Sequence, residues 1–288
     1  MKPQAKIGII GGSGLYALEG LGDLEEVFIK TPFGPPSDAY LLGSLDDIPL
    51  AFLPRHGRGH RLTPSELNYR ANIYGFKQLG VEQLIAVSAV GSLREHIKPL
   101  DIVVPDQFFD RTRQRSSTFF GDGLVAHIPF ADPVCTNLSR ILYEAALESG
   151  VTAHDTGALV CMEGPAFSTR AESEVYRSLG MDIIGMTTLQ EAKLSREAEL
   201  CYGVIALVTD YDCWHSEAAD VSVEEVLQNM QQNVLTAKAI LNKALPRMPV
   251  RRTCSCGDAL QNALMTDPGI IPAETRARLD LLVGRYLR

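Results

Sequence analysis

Short apolar runs rich in β-branched residues recur along this chain, each closed by Gly, Pro or Asp. They fall at residues 6–10, 48–53, 83–90, 101–104 and 201–209. Runs of this length, apolar at successive rather than alternate positions, predict strands covered on both faces. Between them lie stretches of helical period, several with recognisable starts. Thr63-Pro64-Ser65-Glu66 reads as a capping box with Pro in the first turn, opening a helix that Gly80 ends. Thr169-Arg170-Ala171-Glu172 opens a second, ended by Gly180, and Thr188-Leu189-Gln190-Glu191 a third. Ser222-Val223-Glu224-Glu225 opens a long one reaching about Pro246. In each, the capping hydroxyl accepts from a free backbone N–H while the Glu reaches back to the cap. Alternating strands and helices predict an α/β fold with a mixed or parallel sheet and helices on both faces. Residues 246–252 read as a linker and 257–288 as a small helical extension. Ligands of such sheets bind beyond the carboxyl ends of the strands, so chemistry is sought in the loops that follow the apolar runs.

Composition narrows the class. At 288 residues the chain can bury about three quarters of the surface its unfolded form exposes. Six Cys do not make a disulfide framework. There is no run of 18 or more apolar residues and no signal-peptide pattern at the start, so a cytoplasmic protein off the membrane is expected. Twenty-seven Lys plus Arg against 35 Asp plus Glu give a net charge of −8. That balance argues against a nucleic-acid partner, which needs a basic stripe, but allows a small anion held by local cations and helix N-termini.

The loops after the strands carry the candidate chemistry. Gly11-Gly12-Ser13-Gly14 follows the first run, and residues 12–17 fit the G-x-G-x-x-A dinucleotide fingerprint. Gly20 and Gly22 interrupt the helix that fingerprint requires, and the acidic residue expected about 20 residues on is missing. A single-phosphate loop using Ser13 and a plain tight turn remain as readings. Arg55-His56-Gly57-Arg58-Gly59-His60 is a local basic patch that suits phosphate, or else an exposed basic loop. Its two His lie in a glycine-rich loop with no evident third ligand, so no metal is expected there. Residues 88–95 (SAVGSLRE) would let a ligand approach the backbone closely, or merely turn. Phe167 could stack on a planar base or act as a hydrophobic staple for the helix behind it. Asp210 and Asp212 crowd the end of the last strand. Repulsion and partial burial would raise one pKa, as a general acid needs, although an Asx turn would use the same residues. Cys254-Ser255-Cys256 could be idle thiols, a redox pair or half a metal site; no second pair stands at zinc spacing, so no zinc is expected.

Taken together, these motifs resemble the trimeric purine nucleoside phosphorylases, most closely their 5′-methylthioadenosine phosphorylase branch. The resemblance covers residues 6–245 and rests on IGIIGGSGL at 7–15, TPFGPPSDA at 31–39, RHGR at 55–58, NYRAN at 68–72, GSLRE at 91–95, DQFFDRTR at 106–113, residues 163–173 and TDYDCW at 209–214. It implies one domain with a central mixed β-sheet flanked by helices, spanning 1–249, with 250–288 as a helical C-terminal extension of the same domain. It implies phosphorolysis of 5′-methylthioadenosine to adenine and 5-methylthioribose 1-phosphate, with phosphate as co-substrate and neither metal nor organic cofactor. The alternative is the 6-oxopurine branch, acting on methylthioinosine, inosine or guanosine. By position, Ser13, Arg55, His56 and Thr187 would contact phosphate, with Ser88 and Ala89 at the phosphate and ribose end. Met186 would lie under the sugar, Phe167 and Ser168 by the purine, and Val223 and Val226 around the methylthio group. Asp210 would protonate purine N7, and Asp212 would accept from the exocyclic amine. His127 would come from a neighbouring subunit of a homotrimer or dimer of trimers. An ionised carboxylate only accepts hydrogen bonds, so two Asp suit a 6-aminopurine independently of the resemblance. The sequence departs from the family pattern at Gly185, Ala166 and Val90, none of which carries a catalytic group.

Overall fold

The computed structural model describes residues 4–12, 15, 22–45, 47–215 and 223–287, with backbone alone at 22–23 and 223–227. In chain order the strands are β1 (Ile7–Gly11), β2 (Gly22–Val27), β3 (Tyr40–Leu45), β4 (Ile48–Pro54), β5 (Gln83–Ser92), β6 (Ile102–Val103), β7 (Gln107–Arg111), β8 (Ala153–His154), β9 (Ala158–Met162), β10 (Ile183–Gly185) and β11 (Cys201–Asp210). The helices are α1 (Tyr69–Leu79), α2 (Thr136–Glu148), α3 (Arg170–Ser178), α4 (Thr188–Glu197), α5 (Val223–Ala244) and α6 (Ala273–Val283).

The apolar runs form the centre of the sheet. β4, β1, β5 and β11 lie side by side and parallel, so their carboxyl ends emerge together. β2 and β3 extend one edge antiparallel, while β10 pairs antiparallel with β5 and leads through β9 to β7, which makes the sheet mixed. Alternate residues of β11 face opposite cores. Tyr202, Val204, Ala206 and Val208 pack with α1, α4 and α6, whereas Cys201, Ile205 and Leu207 pack with α2 and α5. Burial on both faces is why these strands read as unbroken apolar runs. Leu260, Ala263, Leu279 and Leu282 of the extension join the first of those cores. Among the described residues, no helix is long and apolar enough to cross a membrane.

Two helix starts differ from the sequence reading. The Thr63 N–H and hydroxyl both donate to Glu66 Oε2, but in a turn where the Glu66 N–H goes to the Thr63 carbonyl rather than the hydroxyl; α1 begins at Tyr69 with Asn68 as its cap. Asn68 Oδ1 accepts from Ala71 N–H, and its Nδ2 donates to the Phe33 carbonyl at 2.7 Å, which pins the helix start to the 31–36 loop. At α4 the cap is Thr187, whose side chain makes no capping bond, and Glu191 does not reach back. It turns inward to Arg55 instead. The box at Thr169 and Glu172 is complete. Ser222 lies outside the described residues.

The cysteines also regroup. Cys254 and Cys256 lack a second pair in sequence, yet the fold brings Cys135 and Cys201 beside them.

Glu197, at the end of α4, gives the fold a testable pH signature. It is buried, with Oε1 accepting from Thr118 Oγ1 and Oε2 from Phe119 N–H, both at 2.7 Å. Burial pushes its carboxyl from 4.5 up to about 7. Between those values the folded chain holds a proton that the unfolded chain has lost, so this group's contribution falls as pH rises through the window. The total is about 3 kcal/mol, complete above pH ~7. Glu197→Gln removes the titration. In urea unfolding, its stability relative to the parent is expected to rise between pH 5 and pH 8; parallel pH profiles would contradict this reading of Glu197.

Candidate active site

A cavity of about 540 Å³ opens at the carboxyl ends of the parallel strands, a size suited to a small organic ligand. Arg55, His56, Ser88, Ala89, Phe167, Met186, Thr187, Asp210 and Asp212 all line it. Residues from 55 to 212 therefore meet in one place. Ser13 lies outside the described residues, as do the side chains of Val223 and Val226. Ser168 stands behind the wall, its carbonyl accepting from Cys213 Sγ. His127 is exposed and absent from the cavity of its own chain; its N–H donates to the Ala263 carbonyl of the extension.

The cationic end rests on a buried ion pair. Arg55 follows β4 and is 2% exposed. Its Nε and Nη2 donate to Glu191 at 2.5 and 3.1 Å, Nη1 to the Val87 carbonyl at 2.9 Å, and Nη2 to the Ile10 carbonyl at 3.4 Å. Burial opposes the Arg55 charge, but Glu191 outweighs it and holds the guanidinium above its ordinary pKa. Four of the five N–H donors are thus committed, leaving one on Nη1. The sequence reading of a free basic patch needs correction, because Glu191 balances Arg55 while Arg58 turns away to Glu26 and Asp38. What the cavity gains is direction rather than net charge. Beside Arg55 lies the start of α4 at Thr187, whose side chain does not cap it, and helix starts of this kind are natural anion seats.

His56 donates through Nδ1 to the Leu62 carbonyl at 2.8 Å, because a carbonyl can only accept. Burial, with the Arg55 charge next, pushes its imidazole down to about 4. Near neutral pH, Nε2 therefore carries a lone pair. The His60 ring stacks on it at 4.3 Å between centroids, so the two imidazoles lie face to face rather than converging on a metal.

At the other end, the β5–β11 register slips by one residue. Val208 pairs with Val90 and Asp210 with Gly91, leaving Thr209 in a bulge. Asn229 and Asn233 of α5 donate to the Thr209 and Val208 carbonyls at 2.7 and 2.9 Å, fixing that distortion. Asp210 Oδ2 accepts from Thr209 Oγ1 at 2.6 Å and Oδ1 from Asp212 N–H at 2.8 Å, so the Asx turn exists alongside any chemistry. Gly91 makes room: a Cβ there would stand 3.0 Å from Asp210 Oδ1 and 3.1 Å from Ile184 Cγ2. Asp212 is buried in left-handed backbone (φ 53°), and its Oδ2 has no hydrogen-bond partner among the described residues. Burial lifts its pKa, with Glu172 adding to the lift. The hydroxyls of Ser173 and Ser168 and the Cys213 N–H favour the charge but do not close a bond on Oδ2. Burial, rather than repulsion by Asp210, is the leading cause. Val87, which holds Arg55, and Gly91, which faces Asp210, are four residues apart on β5, about 13 Å along the strand.

The walls between are mostly apolar. Met186 sits against Gly164, where a Cβ would stand 2.6 Å from its sulfur. Phe167 is 61% exposed, too open for a staple, and forms part of the rim. Met230, Gln231 and Val234 of α5 complete the lining. Arg115 lies behind the wall with a fully buried side chain, donating to the Met186 and Glu163 carbonyls and, at 3.1 Å, to Tyr69 Oη. Sequence reasoning missed Glu191, Arg115 and Met230, Gln231 and Val234 of α5. Met230 and Val234 were within reach, since i and i+4 share a helix face. The roles of Glu191 and Arg115 depend on contacts across 136 and 71 residues and leave no local signal.

With this geometry in place, comparison with known proteins is informative. The sequence model described as Phosphorylase superfamily matches residues 6–246. The S-methyl-5′-thioadenosine phosphorylase of Geobacter sulfurreducens is 60% identical over 282 residues, covering 98% of this chain and 99% of the relative. The protein of the same name from Koribacter versatilis is 56% identical over 283 residues, covering 98% and 97%. Among solved structures, a methylthioadenosine phosphorylase from an antarctic soil metagenomic library superposes with a TM-score of 0.94 at 49% identity, covering 98% of this chain and 99% of that one. The Schistosoma mansoni methylthioadenosine phosphorylase in complex with adenine gives 0.83 at 35% identity, covering 97% and 98%.

Proposed function

The chain belongs to the phosphorylase superfamily, and on that premise we propose that it phosphorolyses 5′-methylthioadenosine to adenine and 5-methylthioribose 1-phosphate. Near-full-length relatives at 60% and 56% identity carry that activity in their names. The observation that carries the reading is the orphaned Asp212 Oδ2 beside Asp210, at the far end of a cavity that begins at Arg55.

Phosphate sits between the spare Arg55 N–H, the start of α4 with Thr187, and Gly12 after β1. His56 Nε2 accepts from the P–OH of hydrogenphosphate, a bond its neutral ring allows. Ser88 and Ala89 border the phosphate and ribose end, and Met186 lies beneath the sugar. A phosphate oxygen bonds to the anomeric carbon as the bond to purine N9 breaks through an oxocarbenium-like state. Asp210 delivers a proton to N7, and the proton hydrogenphosphate gives up balances it. Asp212 accepts from the exocyclic amine, Phe167 flanks the base with Ser168 behind it, and the methylthio group lies against the apolar α5 wall of Met230 and Val234. Phosphate is the co-substrate, and neither a metal nor an organic cofactor takes part in the chemistry. A cytoplasmic salvage role follows.

A buried acceptor rejects a ligand that offers another acceptor. The ratio of kcat/KM for methylthioadenosine over methylthioinosine is therefore expected to exceed on the order of 10². Preference for methylthioinosine would favour the 6-oxopurine alternative.

The working unit is a homotrimer or dimer of trimers in which His127 enters a neighbour's cavity. Beside His127, Val125 and Met265 are joined by a backbone bond yet are 45% and 62% exposed, an apolar margin suited to a subunit contact. His127→Ala is expected to raise the nucleoside KM at unchanged Tm. Unaltered KM, or full activity in a monomer, would refute the shared cavity.

A further inference from the structure

Cys135 caps the start of α2, Cys201 opens β11, and Cys254 and Cys256 flank Ser255 in the segment after α5. All four sulfur atoms lie within 4.8 Å of one another, with Cys201 and Cys254 3.3 Å apart. Four thiolates around one zinc ion at about 2.3 Å stand about 3.8 Å from each other, the same scale. None of the four is disulfide-bonded, and three are buried, with Cys254 half-buried. The group holds no carboxylate or imidazole, and an all-sulfur tetrahedral donor set selects a soft or borderline ion over calcium or magnesium.

We propose that Cys135, Cys201, Cys254 and Cys256 bind one zinc ion as a closed tetrathiolate, a structural site separate from the catalytic cavity. None of the four lines that cavity. Uptake exchanges four thiol protons for the ion, leaving a complex of charge −2. The positive end of the α2 dipole, at whose start Cys135 stands, offsets part of that charge. The ion joins sequence positions as far apart as 135 and 256, tying the extension to the sheet. That extension contributes Leu260 and Leu279 to the core, and its Ala263 carbonyl holds His127 N–H. Zinc thereby steadies the segment carrying His127, an effect on activity that rests on the shared-cavity reading; zinc binding itself does not.

The test is metal content by mass spectrometry on the unaltered protein, purified without chelator. About one zinc per chain is expected, as for a closed structural site. Cobalt(II) in its place is expected to give intense sulfur-to-cobalt charge-transfer absorption with tetrahedral d–d bands. Unfolding with chelator and thiol reagent is expected to release the zinc and count all six Cys as free thiols. Cys254→Ser and Cys256→Ser are each expected to lose the ion. Absence of stoichiometric metal, a different metal in its place, a cobalt spectrum without thiolate bands, or a thiol count short by two or four through disulfides would each overturn the proposal. These readouts on the parent protein stand even if a variant fails to fold.

Discussion

Replacing Asp210 with Asn is expected to slow base release by on the order of 10²–10⁴, the range for loss of a general acid, while the fold stays intact. The substitution is close to isosteric. Asn keeps an acceptor for the Asp212 N–H, and the Thr209 hydroxyl can turn to the Val90 carbonyl, already 3.2 Å away. The bulge is fixed by Asn229 and Asn233 rather than by the carboxylate. What disappears is a proton that can reach N7 as the glycosidic bond breaks. Single-turnover adenine release, with Tm measured alongside, reads the effect. An unchanged rate would place the acid elsewhere, and a comparable fall in Tm would assign the loss to unfolding.

Removing Glu191 is expected to have the largest effect on stability. The Arg55 and Glu191 side chains are 3% and 0% exposed, and Tyr202 Oη also donates to the carboxylate at 2.9 Å. Glu191→Ala strands a buried guanidinium and should cost about 3–5 kcal/mol. The phosphate KM should rise too, since Glu191 aims the one spare N–H. Glu191→Gln keeps the shape and an acceptor and should cost less. Denaturant unfolding of the three proteins decides; a loss under about 1 kcal/mol for the Ala variant would mean that the pair does not hold Arg55 as described.

The contrast between Arg55 and Glu191 marks what the sequence makes legible. Arg55 stands in a short motif after an apolar strand, so both its position and its chemistry could be read locally. The same holds for Asp210 and Asp212, which end the longest apolar run. The central parallel strands were legible because burial on both faces writes an unbroken apolar signature. β7, largely exposed, and the two-residue β8 leave no such run, so they went unread, whereas β6 falls within the 101–104 run. Glu191 was misread as a cap because its spacing from Thr188 satisfies the local rule, whereas its partner Arg55 comes from the loop after β4. Asn68 displaced Thr63 at α1 for a similar reason, since its bonds to Phe33 and Pro35 join segments over 30 residues apart. The sequence expectation of no zinc site rested on C-x-C alone, because the proximity of Cys135 and Cys201 arises only in the fold. The family resemblance implied that Asp212 meets the base; what the structure adds is a buried Asp212 oxygen without a partner among the described residues.

The most direct measurement of the central claim follows the purified chain with 5′-methylthioadenosine, with and without inorganic phosphate, resolving products by chromatography and phosphorus NMR. The account expects adenine and a pentose 1-phosphate in equal amounts, and no adenine when phosphate is left out. Adenine released equally well without phosphate, together with free pentose, would contradict it, because the Arg55 end of the cavity would then have no part in the reaction.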